Sequence, residues 1–377
     1  MGSESLGGRK YFLDWLRAAA FGALILFHTG MLYVTWDYGI KSERIYPRLE
    51  MVMITVSAWR MVLLFFIAGV ASRFLLEKLG PGSYAVARIR RLFVVVLVAM
   101  LIIIPVQVYV EFLRKGWIEP GYINFWLHSY LSGASFPNRV LPTWDHLWFV
   151  VYLLVYSLGL ALLFKAFRPP GPTRLPLWCL LILPGIWLCG TNVLIQEVRP
   201  VTWALFNDWA NHLRWGGIFA AGVMCAGRED LWERVRQGRH WLLAVSVVGL
   251  CCQIGNGLYW RTGQQDPAWA GIIYALIEGF YGWVVVLTLC GYAYRHFNYH
   301  TRVLGYLTDA VLPVYVMHQP VLFVAAYFLL PLALPIAVEV ALLILITGFG
   351  SLAFYELVVR RWRLTRFLFG LQLARSK

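Results

Sequence analysis

The chain has 377 residues, of which 60% are hydrophobic and only 14% charged, against roughly 25% charged in an ordinary soluble domain. With a mean hydropathy of +0.65, that composition excludes a water-soluble globule. The formal charge of +14 raises nucleic acid as a partner, but the lysines and arginines are scattered between apolar runs instead of gathering on one soluble face, which excludes it.

Apolar runs of about 20 residues recur from end to end, each long enough to cross ~30 Å of hydrocarbon as a helix. The ~10-residue alternating segments of a membrane β-barrel are absent. The sequence therefore predicts an all-α polytopic membrane protein with about ten transmembrane helices. They fall near residues 12–33, 51–76, 92–112, 146–164, 175–195, 210–226, 241–260, 269–294, 303–330 and 336–359. The first run contains Asp14 and Arg17 and lacks a small-residue cleavage site, so it is expected to stay in the mature protein. Pro313 and Pro320 in the ninth predict a kink, or a short cytoplasmic segment at its start. No soluble domain, low-complexity tract or repeat interrupts the pattern, so residues 1–377 are read as one membrane domain. The doublet Pro169-Pro170 sits in a loop, as a bilayer requires.

Orientation follows from the loops. About two-thirds of the 33 lysines and arginines fall in one alternate set, including Arg9, Lys10, Arg73, Arg88, Arg168, Arg174, Arg228, Arg302, Arg375 and Lys377, and that set marks the cytoplasm. The poorer set includes Lys41, Arg44, Arg114, Lys115, Arg139, Arg199 and Arg261. Both termini are thus expected inside, and the longest hydrophilic connection, about Leu113 to Asp145, outside. The six cysteines, Cys179, Cys189, Cys225, Cys251, Cys252 and Cys290, lie in or beside apolar runs without metal-ligand spacing and read as small packing residues. No disulfide and no metal is expected.

Charged groups inside a span are costly and usually face a cavity or a partner. In the first helix, Arg17 and His28 are separated by about three turns plus 20°, a rise of roughly 16 Å, so they share a face. Asp14 lies one turn before Arg17 and can pair with it. A neutral imidazole suits a general base acting on an alcohol. The alternative is that Arg17 and His28 each reach toward the nearer interface. Arg60 in the second span and Glu278 in the eighth are too deep for that. Asp14 or Glu278 would satisfy Arg60, either as a structural ion pair or within a working site.

The segment Tyr11-Phe12-Leu13-Asp14-Trp15-Leu16-Arg17 followed by His28 resembles the opening R-x10-H motif of acyltransferase family 3. Leu64-Phe65-Phe66-Ile67-Ala68-Gly69 resembles its F-F-x-I-S-G segment, with Ala68 where Ser is usual. Arg88-Ile89-Arg90-Arg91-Leu92 is similar to its basic cytoplasmic motif, His146-Leu147-Trp148-Phe149 to its H-L-W-F segment, and Pro313-Val314-Tyr315-Val316-Met317-His318-Gln319 to its late P-x-Y-x-x-H signature. The Tyr-Phe-Leu-Asp opening and Trp59-Arg60-Met61 resemble the branch of the family named for glucan biosynthesis.

The resemblance implies a membrane O-acyltransferase of the bacterial inner membrane that takes acyl-CoA, as co-substrate, from the cytoplasm. The acceptor is expected to be a hydroxyl of an extracytoplasmic glycan such as a periplasmic glucan. His28 is then the general base, Arg17 binds the donor or polarises its carbonyl, and Asp14 orients Arg17. Arg88, Arg90 and Arg91 suit the phosphates of coenzyme A, with a positive-inside anchor as the alternative; Arg60 or Glu278 is expected to bind the thioester or orient His28, with a structural ion pair as the alternative. His146 contacts an acceptor or caps its helix beside Asp145, and Tyr315 with His318 lines the cavity or bonds a neighbouring helix. Tryptophans read as outer, among them Trp36, Trp117 and Trp215, could stack on sugar rings or form an interfacial belt. The competing class is a transporter or flippase using the intramembrane Arg, Glu and His as a substrate or proton pathway.

Overall fold

The computed structural model describes residues 9–137, 139–167, 175–197, 201–260 and 268–371. Arg168, Arg174, Arg199, Arg261, Arg375, Lys377 and the Pro169-Pro170 doublet lie outside the described residues. Ten long helices follow the predicted runs: α1 Tyr11–Met31, α2 Leu49–Leu79, α3 Pro81–Arg114, α4 Trp148–Phe167, α5 Leu177–Glu197, α6 Trp209–Cys225, α7 Glu229–Trp260, α8 Ala268–His296, α9 Arg302–Leu329 and α10 Ile336–Phe354. Among the described residues, nine helices are long and apolar enough to cross a membrane. The tenth, α6, has 17 residues and is about 25 Å long.

Two helices begin well before their apolar runs. α3 starts at Pro81 because Tyr84, too polar a neighbourhood for a hydropathy reading, is buried against Leu76 and Ala161. α7 starts at Glu229, where Glu229 and Asp230 occupy the first turn and favour a helix N-terminus; its Leu231, Trp232 and Val235 are buried. α9 stays helical through Pro313 and Pro320. α3 contains π-helical turns at Ile89–Phe93 and Ala99–Ile103.

The chain divides into two compact units, and α1 to α4 and α9 contribute residues to both. The first unit comprises α1 up to Ala20, α2 from Met51, the start of α3 up to Ala85, the later part of α4, α5 to α8 and α9 up to Leu304. Its core forms around α2. Phe65 stacks on Trp215 with ring centroids 5.3 Å apart, and Phe66 meets the edges of Trp283 and Trp232. The backbones of α2 and α6 close on each other through two glycines. A Cβ on Gly69 would lie 2.0 Å from the Phe219 carbonyl oxygen, and one on Gly222 would lie 2.1 Å from that of Phe66. Small residues permitting close backbone approach are how helices gain packing where lipid supplies no hydrophobic drive. The Phe65-Phe66-Ile67-Ala68-Gly69 stretch is thus a packing element in which Gly69 permits the close approach irrespective of Ala68.

The second unit comprises the later part of α1, most of α3, the start of α4, α9 from Gly305 and α10. Its core packs Leu32, Tyr33 and Ile40 against Leu322, Phe323, Ala326 and Leu343. Lys41 folds back onto the end of α1, donating to the carbonyls of Met31 and Trp36 at 2.8 and 2.9 Å and to that of Val34, a cation at the negative end of the helix. Burial lowers the Lys41 pKa below the usual lysine range, opposed by Asp37 and Glu50. Glu339 of α10 is fully buried and is held by the Tyr33 hydroxyl at 2.8 Å and by Arg44. Between α3 and α4 lie a short helix, Tyr122–Phe125, a π-helical turn, Trp126–Tyr130, and a two-stranded hairpin, β1 Ser135–Phe136 and β2 Arg139–Val140.

Candidate active site

The first turns of α1 carry one half of the predicted stripe. Asp14 is gripped from two sides: Arg9 Nε donates to Oδ2 at 2.9 Å, and an Arg17 Nη2 lies 2.9 Å from Oδ1. A carboxylate one turn from the guanidinium, on the same helix face, restricts Arg17 to few rotamers. In the same unit, Arg60 is buried. Its two candidate partners have other company, since Asp14 engages Arg9 and Arg17, and Glu278 Oε2 accepts from Asn192 Nδ2 at 3.3 Å. Arg214 and Tyr274 lie within electrostatic reach of Glu278.

The other half, His28, belongs to the second unit, and there the structure gathers residues far apart in sequence. His28 Nδ1 lies 2.8 Å from His318 Nε2. The ring planes are 8° apart with centroids at 5.0 Å, the spacing that two imidazoles joined end to end require, so the rings are coplanar and not face to face. His318 Nδ1 lies 2.6 Å from the Tyr315 carbonyl oxygen. His146 sits edge-on to His318 at 5.3 Å and to Tyr315 at 5.7 Å. The Tyr315 hydroxyl donates to the His146 carbonyl, and Phe21 packs on the Tyr315 ring at 5.1 Å.

Carbonyl oxygens fix the tautomers, because a carbonyl can only accept. Tyr315 O requires the proton of neutral His318 on Nδ1, which leaves His318 Nε2 an acceptor. His28 Nδ1 must then be the donor in the 2.8 Å contact, and the lone pair of His28 is on Nε2. This assignment follows from the network. His28 is therefore oriented as a base whose second nitrogen is held by a buried partner, the arrangement in which an imidazole takes a proton from a hydroxyl.

Pro320 explains why His146 joins the group. Having no N–H, it leaves the Val316 carbonyl four residues earlier without its helical donor. His146 Nε2 lies 3.2 Å from that oxygen and supplies the bond. His146 is thus spent on α9, and the alternative that it caps its own helix gives way. Its neighbour Asp145 turns instead to Arg139 at 2.7 Å.

Arg90 and Arg91 are exposed on the π-helical turn of α3, and Arg88 is partly buried. Trp215, read from sequence among the outer tryptophans, is 4% exposed and is a core residue stacked on Phe65. Glu111 joins the second unit's polar groups without having been expected from hydropathy: it is a carboxylate inside the third apolar run and is 2% exposed. It pairs with Lys115 at 2.7 Å and Arg139 at 3.0 Å. The signal was available, because a carboxylate in a span is itself a marker of function. Glu339, also within an apolar run and fully buried, carries the same signal.

Residues 10–356 match the acyltransferase-domain family known as acyltransferase 3. Among curated proteins, the chain is 25% identical over 335 residues to glucans biosynthesis protein C of Salmonella schwarzengrund (strain CVM19633), covering 85% of this chain and 84% of that protein. The proteins of the same name from Salmonella heidelberg (strain SL476) and Salmonella typhi are 24% identical with the same coverage. No solved structure matches the chain.

Proposed function

Because the chain belongs to acyltransferase family 3, and so is a membrane acyltransferase of groups other than aminoacyl groups, we propose that it moves an acetyl or succinyl group from cytoplasmic acyl-CoA to a hydroxyl of an extracytoplasmic glycan. A periplasmic glucan is the acceptor favoured by the names of the relatives. The observation that carries the reading is the hydrogen-bonded series from the Tyr315 carbonyl through His318 to His28.

In this reading the acceptor hydroxyl attacks the thioester carbonyl as His28 Nε2 removes its proton. The tetrahedral intermediate collapses, the carbon–sulfur bond breaks, and the proton held by His28 leaves with the coenzyme A thiolate. Ester and free thiol are the products, and no covalent acyl-enzyme is required. His318 holds the base in the correct tautomer. Arg17, clamped by Asp14, binds the donor or polarises its carbonyl, and Arg88, Arg90 and Arg91 receive its phosphates as charge-assisted forks. Positioning and proton transfer together supply the rate enhancement. The membrane is the bacterial inner membrane, with both termini on the donor side.

The test uses the full chain in nanodiscs with labelled acetyl-CoA and succinyl-CoA, alongside mass spectra of envelope glycans from cells with and without the gene. Transfer lost in His28→Ala, with the protein still folded in the membrane, is the expected result. Full activity in that variant, or identical glycan masses in the two strains, would overturn the reading.

A further inference from the structure

The second unit holds a cavity of about 320 Å³ built by the segment after α1, the end of α3, the hairpin, and α9. That volume lies at the low end of the roughly 300–1,000 Å³ typical of small-molecule sites. Its polar wall is Asp37, Glu111, Arg139, Asp145, Lys115 and Gln319. None of the acyl-transfer steps above uses any of them.

The charges in this wall are already sorted. Arg139 bonds Asp145 and contacts Glu111, and Lys115 bonds Glu111. Burial disfavours the Arg139 charge, but the two carboxylates outweigh it and hold the guanidinium above its usual pKa. The cations are therefore neutralised in place and offer no anion site. Acceptor atoms are in surplus. Asp37 makes no hydrogen bond to a described residue, and Gln319, only 4% exposed, has an Oε1 with no hydrogen-bond partner among the described residues. A buried amide oxygen left in that state carries a cost that a ligand rich in O–H donors removes. A carboxylate or phosphate would add repulsion.

Trp117 and Phe323 supply apolar faces, suited to the C–H faces of a sugar ring. Tyr38 ties the cavity to the base. It lines the cavity, its ring lies 5.9 Å from that of His28 and 5.2 Å from that of Phe323, and its buried hydroxyl has no hydrogen-bond partner among the described residues. Gln319 and His318 are consecutive, so one turn of α9 presents one side chain to the cavity and the other to the base.

We propose that this cavity is the acceptor subsite and that it binds a neutral, polyhydroxylated sugar unit, with Gln319, Asp37 and Tyr38 taking its hydroxyls and Trp117 its ring face. This rests on the acyl-transfer reading for its purpose, but sugar binding can be measured without turnover. The experiment places the full chain in nanodiscs, free of glycoside detergent, and titrates glucose hexasaccharides, one α-linked and one β-linked, and an equally long hexagalacturonate, by calorimetry. At least one glucose oligomer should bind, with the uronate at least about tenfold weaker. Asp37→Asn, on the exposed rim, and Gln319→Leu should each weaken the neutral sugar about tenfold, the loss expected of one hydrogen bond involving a charged or buried group. Unchanged affinity in Asp37→Asn, which carries little folding risk, would overturn the assignment, as would absence of binding by both glucose oligomers or preference for the uronate. Sugar binding with these sensitivities but no acyl-CoA turnover would leave the subsite standing and remove the transfer reading instead.

Discussion

Replacing His318 by Ala removes the acceptor of the His28 Nδ1–H while leaving the base itself in place. A neutral hydrogen bond such as this one, at 2.8 Å, contributes about 0.5–1.5 kcal/mol net, equivalent to a roughly two- to thirteenfold bias toward the tautomer and ring pose with the lone pair on Nε2. Transfer should fall by about that factor in His318→Ala, whereas His28→Ala removes general-base catalysis altogether, typically ~10²–10⁴-fold. Because His318 acts only through His28, the double variant should be no slower than His28→Ala, a strongly non-additive cycle. His318→Gln, whose amide oxygen can accept from Nδ1–H, should recover part of the loss. The assay is the initial rate of labelled acyl transfer in nanodiscs, with folded protein normalised by gel filtration, since His318 is buried. If the two single effects multiply in the double variant, His318 does something other than orient His28 and the hydrogen-bond argument is wrong.

Gly69→Ala puts a methyl 2.0 Å from the Phe219 carbonyl, so α2 and α6 must part; a loss of about 1–3 kcal/mol or more should appear as a lower midpoint of thermal unfolding in nanodiscs, and an unchanged midpoint would contradict the close packing. Neutralising Arg90 and Arg91 to Gln should raise KM for acyl-CoA about tenfold or more while leaving KM for an acyl-pantetheine without phosphates near its original value; equal effects on both would assign these residues to membrane anchoring. Pro320→Ala returns a helical donor to the Val316 carbonyl in competition with His146, so α9 should gain stability while transfer slows, and a variant that gains both would show that the His146 contact is incidental.

Much of the fold could be read from hydropathy alone because each helix must carry about 20 apolar residues to cross the bilayer. The early starts of α3 and α7 could not, since Tyr84 and Trp232 are buried by tertiary packing that no local window registers. Within the site, Asp14 and Arg17 were legible from their spacing on one helix. The His28–His318 contact was not, because the residues are 290 apart in the chain and only the packing of α9 on α1 joins them. Family resemblance named both histidines but not their bond. The Glu111–Arg139–Asp145 network was hidden for a different reason: Arg139 and Asp145 lie in a polar connection that reads as an ordinary loop, and only the hairpin register, Phe136 opposite Arg139, returns the guanidinium to the end of α3.

Prolines account for the ring placements in the second unit more directly than hydrophobic packing does. A membrane helix tolerates proline only where the freed carbonyl finds another donor. Pro105, just after a π-helical turn of α3, leaves Leu101 O without its helical donor, and Trp126 Nε1 supplies one at 2.9 Å. Pro320 does the same to Val316 O, and the donor is His146. Indole has one N–H, so the first case only positions a ring. Imidazole has two nitrogens, so the second also decides a tautomer. With its proton committed to Val316 O through Nε2, neutral His146 carries its lone pair on Nδ1, a buried atom with no hydrogen-bond partner among the described residues. The same logic, applied to the Tyr315 carbonyl, fixes His318 and through it His28. A proline and two backbone carbonyls on a single helix thus bear on which nitrogen of each histidine can receive a proton, so the protonation pattern of the cluster is tied to the backbone of α9.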